Sequence, residues 1–180
     1  MKKVPIFKTE QRIPQSVGGL VHAGTELYDD PGLGVKLRYV SLDESTTLKA
    51  DTYLYDLGLD SVPDDILAPE VEEFFQQSCA EVVAASEQGF YLDFEIRASR
   101  FLHLPDDSPV PLFLWATFYY RQQPGAITSY EGFRYSHLAL RTDRNHINKV
   151  RFTYPDFMAD DGGDQFLNFL LDWNEQIRNA

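Results

Sequence analysis

Residues 110–121 read VPLFLWATFYYR, and the other predicted elements are arranged around this stretch. Its even-numbered positions, from Val110 to Tyr120, are all apolar or aromatic, and its odd-numbered positions, from Pro111 to Tyr119, are apolar except for Thr117. A strand with one face in water would alternate apolar and polar residues instead. The pattern therefore predicts a central strand that is covered on both faces.

Two more antiparallel strands are predicted to follow. The turn QQPG at residues 122–125 leads to a long strand at residues 127–141, in which Gly132 predicts a bulge or a close approach of the backbone. A polar loop at residues 142–146 precedes the third strand at residues 147–154. Apolar and polar residues alternate in that strand, which predicts one buried and one more solvated face.

Shorter strands are predicted upstream. Residues 12–28 mix proline and glycine with apolar positions, which favours an irregular strand at a sheet edge. Residues 34–41 and 48–57 alternate in polarity and predict a hairpin. Residues 90–104 predict a further strand, and a shift of the apolar parity near Ser99 predicts a bulge at Ser99 and Arg100.

Two amphipathic helices complete the predicted fold. Residues 69–88 begin with Pro69 and several glutamates, which suit the first turn of a helix. Residues 165–178 carry an apolar stripe at helical spacing after an acidic loop at residues 160–164. We therefore expect a single α+β domain over residues 1–180, with a mostly antiparallel sheet sandwiched between two amphipathic helices.

The composition bounds the classes of function. The 180 residues carry a net charge of −12, which argues against nucleic acid or an anionic membrane as partner, since both need a basic face. The charge is uneven. Residues 51–96 contain many carboxylates and no lysine or arginine, whereas bases outnumber acids in residues 121–151. Solvated faces explain this pattern, and so does a polar surface that steers a charged protein partner.

Compartment and redox state are predicted from what the sequence lacks. No stretch approaches a membrane span, and the start MKKVPIFKTE has no apolar run of signal-peptide length, so the chain as written is expected to be cytoplasmic. Removal of a leader would instead make it periplasmic or secreted. Cys79 is the single cysteine and lies on an apolar helix stripe, which predicts a buried, inert thiol.

Catalytic and cofactor motifs are missing from the sequence. It has no nucleophile elbow, P-loop, dinucleotide fingerprint or zinc-binding H-E-x-x-H, so we expect neither an enzyme nor a cofactor. The acidic loop at residues 160–164 lacks the ligand order of a calcium loop. Asp93 and Glu95 are interpreted as charges of an edge strand. The histidines do not cluster in sequence, and they are His22, His103, His137 and His146.

Two segments resemble known proteins. Residues 53–64 (YLYDLGLDSVPD) and 149–155 (KVRFTYP) resemble a group of uncharacterised bacterial proteins, many of them exported. The inferred arrangement of sheet and helices is similar to the PsbP-like fold, whose members include PsbP, the Ran-binding Mog proteins and DcrB-type proteins. The resemblance implies a binding or assembly factor rather than an enzyme.

Three hypotheses on function follow. The first is a non-catalytic module that docks a protein partner, by an acidic helix face (Glu72, Glu73, Glu81) or by a basic surface that consists of Arg134, Arg141, Arg144, His146, Lys149 and Arg151. The second is a small-ligand or lipid-binding protein with a pocket between sheet and helix, lined by Trp115, Tyr119 and Tyr130. The third is an enzyme whose site assembles only in three dimensions.

Overall fold

The computed structural model describes residues 13–43, 47–103, 111–122 and 130–180. Over these ranges the chain forms an eight-stranded sheet, two short 3-10 segments at Pro31–Leu33 and Asp156–Met158, and two long helices. In chain order the strands and long helices are β1 (Ser16–Val17), β2 (Leu20–Leu27), β3 (Val35–Val40), β4 (Lys49–Tyr55), α1 (Pro69–Glu87), β5 (Tyr91–Leu102), β6 (Phe113–Gln122), β7 (Phe133–Asp143), β8 (His146–Pro155) and α2 (Ala159–Arg178).

The sheet is antiparallel throughout, with the strand order β1-β2-β3-β4-β8-β7-β6-β5. Two runs of sequential strands, β1 to β4 and β5 to β8, meet where β4 pairs with β8. The predicted α+β class and antiparallel sheet are thus confirmed. The strand predicted to be central is β6, which is an interior strand next to the edge strand β5.

Two hydrophobic clusters use alternate residues of the same strands. On β7, Leu138 and Leu140 belong to the cluster that contains α1, whereas Ala139 belongs to the cluster that contains α2. On β8, Ile147 joins the α1 cluster and Val150 the α2 cluster. Because successive side chains of a strand point to opposite faces, both faces of these strands contribute buried side chains.

Both helices begin as their sequences require, although α2 begins earlier than predicted. Pro69 occupies the first turn of α1, and Glu70 and Glu72 lie in the same turn, where their charges favour the helix dipole. The predicted acidic loop at residues 160–164 is wrong, because these residues form the first turns of α2. Gly162 is buried there, and a Cβ atom at this position would overlap the ring of Tyr154. Over the described ranges, no helix combines the length and the apolar run that a bilayer crossing requires.

Two details around β7 differ from the prediction. The expected loop at residues 142–146 is a two-residue turn, since β7 extends to Asp143 and β8 starts at His146. Arg144 and Asn145 have φ of 50° and 63°, the left-handed values that a tight hairpin turn requires. Gly132 forms no bulge, because β7 begins at Phe133, but the alternative of a close approach is found, since a Cβ atom at Gly132 would overlap the ring of Tyr130.

The edge strand β5 also departs from the prediction. Its register shifts lie between Leu92 and Glu95 and between Ile96 and Ala98, and not at Ser99 and Arg100. Only one neighbouring strand pairs with β5. Some of its apolar side chains therefore stay exposed to water, and Ile96 is 55% exposed. The predicted edge-strand charges are exposed ion pairs with arginines.

Candidate functional site

A cavity of about 380 Å³ lies between α1 and the sheet; we call it the helix cavity. Strand residues Tyr53 and Tyr55 of β4 and Lys149 of β8 line one side, and Phe74 and Gln77 of α1 line the other. Tyr53 and Lys149 are opposite each other in the β4–β8 register, so their side chains share a face of the sheet. The cavity therefore has an aromatic wall with a cation set into it.

A wider space of about 700 Å³ lies next to the helix cavity; we call it the open groove. Tyr53, Tyr91 and Arg151 line both spaces, so the two spaces are adjacent. The groove extends over the same sheet face to Arg134 of β7 and Tyr120 of β6. The two spaces together form one elongated site with Arg151 at their junction.

Two carboxylates line the site, and both are already paired. Glu81 of α1 lies 3.2 Å from the ammonium of Lys149, which in turn lies 4.9 Å from the ring centre of Tyr53. Asp51 accepts from Arg38 at 2.7 Å and lies 3.2 Å from Lys49. Burial acts to raise the pKa of Asp51, but the hydrogen bond from Arg38 and the two neighbouring charges outweigh it and lower the pKa. The negative charge of each carboxylate is thus balanced by a neighbouring cation.

Two arginines of the site have no carboxylate partner among the described residues. Arg151 donates from Nε to the hydroxyl of Ser136 at 2.6 Å, and its guanidinium lies 5.8 Å from the ring centre of Tyr91. Arg134 donates to the backbone carbonyl of Tyr130 at 2.8 Å. The Nη2 atom of Arg151 and the Nε atom of Arg134 are buried without a hydrogen-bond partner. Burial lowers the pKa of Arg134.

The tyrosines of the site are neutral hydrogen-bonding groups at physiological pH. Burial raises the pKa of Tyr53 and of Tyr91, and it raises the pKa of Tyr55 to about 12. Cys79, on the same helix as the cavity wall, has its pKa raised by burial to about 11. These hydroxyls and this thiol stay protonated near pH 7, so the arrangement is suited to holding a molecule rather than attacking it.

The six basic residues predicted as one surface do not lie together. Arg134, Lys149 and Arg151 line the site on the α1 side of the sheet. Arg141 points to α2 instead, where it donates to Asn174 at 2.8 Å, and burial lowers its pKa. Arg144 and His146 lie at the β7–β8 turn, where His146 Nδ1 is 2.8 Å from the carbonyl oxygen of Arg144. The six residues therefore do not form one continuous surface, and their contact with a protein partner stays a prediction.

Arg144 has a structural role that predicts a measurable loss. It donates to the backbone carbonyls of Arg178 and Ala180, at 2.6 and 3.1 Å, and so satisfies groups at the C-terminal end of α2. We expect Arg144→Ala to lower the free energy of unfolding by about 1 kcal/mol in urea denaturation. Arg97→Ala is the control, because Arg97 forms an exposed ion pair with Glu95, and such pairs contribute little. Equal losses would contradict the assigned role.

The aromatic residues predicted to line a pocket lie on the opposite face. Trp115 donates to Nδ1 of His137 at 3.3 Å and stacks on Phe166 of α2. The hydroxyls of Tyr119 and Tyr130 both donate to Asp156. These residues form a packed cluster and line neither the helix cavity nor the open groove. A space between sheet and helix exists, and these three residues lie outside its lining.

The remaining candidates are dispersed. Glu81 belongs to the site, whereas Glu72 is exposed and accepts a hydrogen bond from Gln76 of its own helix, and Glu73 is exposed. His137 is buried against α2, and His22 lies near the sheet edge within 3.0 Å of Thr25. Over the described part of the chain, no three His, Cys, Asp or Glu side chains come close enough to share a metal ion.

Comparisons with known proteins concern the fold. No protein-family model matches the chain, and no curated protein does. Among solved structures, it is similar to the solution structure of cyanobacterial PsbP (CyanoP) from Synechocystis sp. PCC 6803, at 14% identity and a TM-score of 0.46. The similarity covers 86% of this chain and 80% of that chain. The protein of that solved structure belongs to the family whose fold the sequence prediction named.

Proposed function

We propose that this chain is a non-catalytic binding module that holds a small organic molecule in the helix cavity. The observation that carries the proposal is the cavity itself, with a volume of about 380 Å³, aromatic walls and a few charged groups. Sites for small molecules are typically concave spaces of about 300–1,000 Å³ with this kind of lining. Tyrosine walls favour a ligand with a flat or apolar body, since the rings offer both contact area and hydroxyl groups.

The location of the cavity follows from how differently the two helices pack. We infer that the helices cover opposite faces of the sheet, because the two hydrophobic clusters use alternate strand residues. α2 buries large side chains such as Phe169 and Trp173 against its face. α1 buries fewer residues, and its partly exposed positions at Gln77 and Glu81 lie over the tyrosines of β4. The face under α1 therefore keeps an accessible space beside the tyrosines of β4.

Binding explains the residues of the cavity better than catalysis does. Its tyrosines are protonated near neutral pH, and Lys149 is neutralised by Glu81. A general base must be able to take a proton at the working pH, and a nucleophile must be activated by a base or a lowered pKa. The described residues of the cavity supply hydrogen bonds and aromatic surface, which are the means of recognition.

Filling the cavity is expected to abolish binding. The probe is N-phenyl-1-naphthylamine, a neutral aromatic dye that fluoresces when it leaves water. Gln77 lines the cavity and its neighbour Gln76 does not, although both are exposed on α1. We expect Gln77→Trp to weaken dye binding by about tenfold or more, because the indole occupies the cavity.

Gln76→Trp is the matched control for this experiment. It introduces the same side chain one position away, outside the cavity lining, and should leave the dissociation constant within about twofold of the unmodified chain. Near-ultraviolet circular dichroism establishes that both variants are folded. An unmodified chain that does not bind the dye, or two variants that weaken binding equally, would overturn the proposed function.

A further inference from the structure

We infer that the ligand of this site is an organic anion, whose apolar body lies in the helix cavity and whose charged group lies at the open groove against Arg151. The inference rests on the proposed function and adds the chemical class of the ligand. It applies to a carboxylate, sulfonate or phosphate monoester alike, because each presents several acceptor oxygens to a guanidinium.

The first argument is the charge balance of the site. Its described lining residues include the four cations Lys49, Arg134, Lys149 and Arg151 and the two carboxylates Asp51 and Glu81. This excess of positive charge stands out on a chain whose net charge is −12. Glu81 pairs with Lys149, and Asp51 pairs with Lys49 and with Arg38. Arg134 and Arg151 are therefore the two cations of this lining that are not paired with either carboxylate.

The second argument is the geometry around Arg151. Asp51 lies opposite Arg151 in the β4–β8 register, yet its carboxylate turns to Arg38 and Lys49. The Arg151 side chain turns to the other neighbouring strand, where Ser136 accepts from its Nε. Ser136 is itself held by Thr153, with 3.0 Å between their hydroxyl oxygens. The guanidinium is therefore fixed in place without a charge partner, which is how a preorganised anion site is built.

The third argument is the cost of the unbound state. A partly buried guanidinium without a carboxylate is unfavourable, and the unsatisfied Nη2 of Arg151 adds to that cost. Ring faces near Arg151, those of Tyr91 and Phe118, compensate for the charge only in part. An anionic ligand would supply the missing charge, whereas a cation would meet no free carboxylate among the described lining residues.

The position of Arg151 also explains the shape of the expected ligand. It lines both spaces, with Tyr53 and Tyr55 on the helix-cavity side and Arg134 on the groove side. An apolar body of suitable length can therefore contact the tyrosines while its anionic end reaches Arg151. Arg134 is the second cation near that end, and it extends the positive field of the groove.

The test compares two dyes with the same aromatic body. 8-Anilinonaphthalene-1-sulfonate carries a sulfonate, and N-phenyl-1-naphthylamine does not. We expect the sulfonate dye to bind about tenfold or more tightly to the unmodified chain at low salt. Arg151→Met should weaken binding of the sulfonate dye more than binding of the neutral dye and so remove most of that preference, since methionine keeps an apolar stem of similar length but no charge.

Arg178→Met is the matched control. It removes the same charge from an exposed position near the end of α2, outside the lining of the site, and should preserve the preference for the anionic dye. Because the anionic dye also binds partly unfolded chains, each variant must first show the near-ultraviolet spectrum of the folded protein. Arg151→Lys, which keeps the charge without the planar fork, should restore part of the preference.

The outcomes separate the two proposals. If both dyes bind with equal affinity, or if Arg151→Met leaves the preference intact, the anion assignment is wrong while the proposed function stands. If neither dye binds to the unmodified chain, the proposed function fails and the anion assignment fails with it. A preference that Arg151→Met and Arg178→Met lower equally would show general attraction rather than a site.

Discussion

Replacement of Gly34 by alanine is expected to lower the free energy of unfolding by about 4 kcal/mol. Gly34 has φ of 62° and ψ of −122°, a conformation that residues with a Cβ atom avoid. The added Cβ atom would also overlap the carbonyl oxygen of Leu54. That oxygen belongs to the backbone of β4, which is held between β3 and β8 and cannot move aside.

Gly58→Ala is the control that separates overlap from backbone strain. Gly58 has φ of 71°, so alanine there is strained as well, but no atom lies within 4 Å of its added Cβ. We expect a loss of about 1 kcal/mol, which is typical of a left-handed conformation alone. Urea denaturation measures both values. Equal losses for the two variants would show that the contact with Leu54 does not matter.

Most helices and strands of this fold have local sequence patterns of their own, which is why they can be predicted from the sequence. α1 ends within one residue of its predicted C-terminus, because proline, glutamates and an apolar stripe define a helix without reference to the rest of the chain. β8 alternates as predicted, with Val150 and Phe152 buried and Lys149 partly exposed. Such signals extend over a few residues and need no knowledge of partners.

The site depends on pairings that no local pattern contains. Tyr53 and Lys149 meet because β4 pairs with β8, although 95 residues of sequence separate the two. Tyr91 joins them from an edge strand, whose place in the strand order the sequence leaves open. The alternating tyrosines Tyr53 and Tyr55 are the available signal, but without the strand order they resemble an ordinary half-buried strand.

The predicted basic residues lie apart for a related reason. Arg141 and Lys149 lie on opposite sides of a two-residue turn. Because they are close in sequence, they were predicted to be close in space. Because side chains alternate along each strand, Arg141 faces α2 while Lys149 faces α1. Which charges share a surface therefore depends on which residues of each strand point to the same face. To relate the faces of two strands that a turn connects, the length of the turn must be known. The sequence predicted five residues for that loop where the chain uses two.

A second large effect is expected from His137, whose charge should limit stability in acid. Its ring lies in the cluster with α2, where Nε2 is 2.9 Å from the hydroxyl oxygen of Tyr154 and Nδ1 is 2.8 Å from that of Thr117. The ring stacks on Phe166 at 4.4 Å between centres. Burial lowers the pKa of His137 from 6.5 to about 4, because this environment disfavours the charged ring.

The direction of the pH dependence follows from that shift. The folded state prefers the neutral ring, so the stabilisation is fully present above pH 6.5 and is lost as the pH falls from 6.5 towards 4. A shift of this size corresponds to about 3 kcal/mol of the free energy of unfolding. Carboxylates also protonate in this range, so the unmodified chain alone cannot isolate the contribution of one histidine.

His137→Gln isolates it, because glutamine can hydrogen-bond to Thr117 and Tyr154 but does not titrate. Urea denaturation at several pH values between 7.5 and 4 gives the free energy of unfolding of both proteins. We expect the unmodified chain to lose about 3 kcal/mol more than the variant over this interval, since only its ring must gain a proton on unfolding. Parallel curves would show that His137 is accessible to protons in the folded state, and the buried network around it would then have to be wrong.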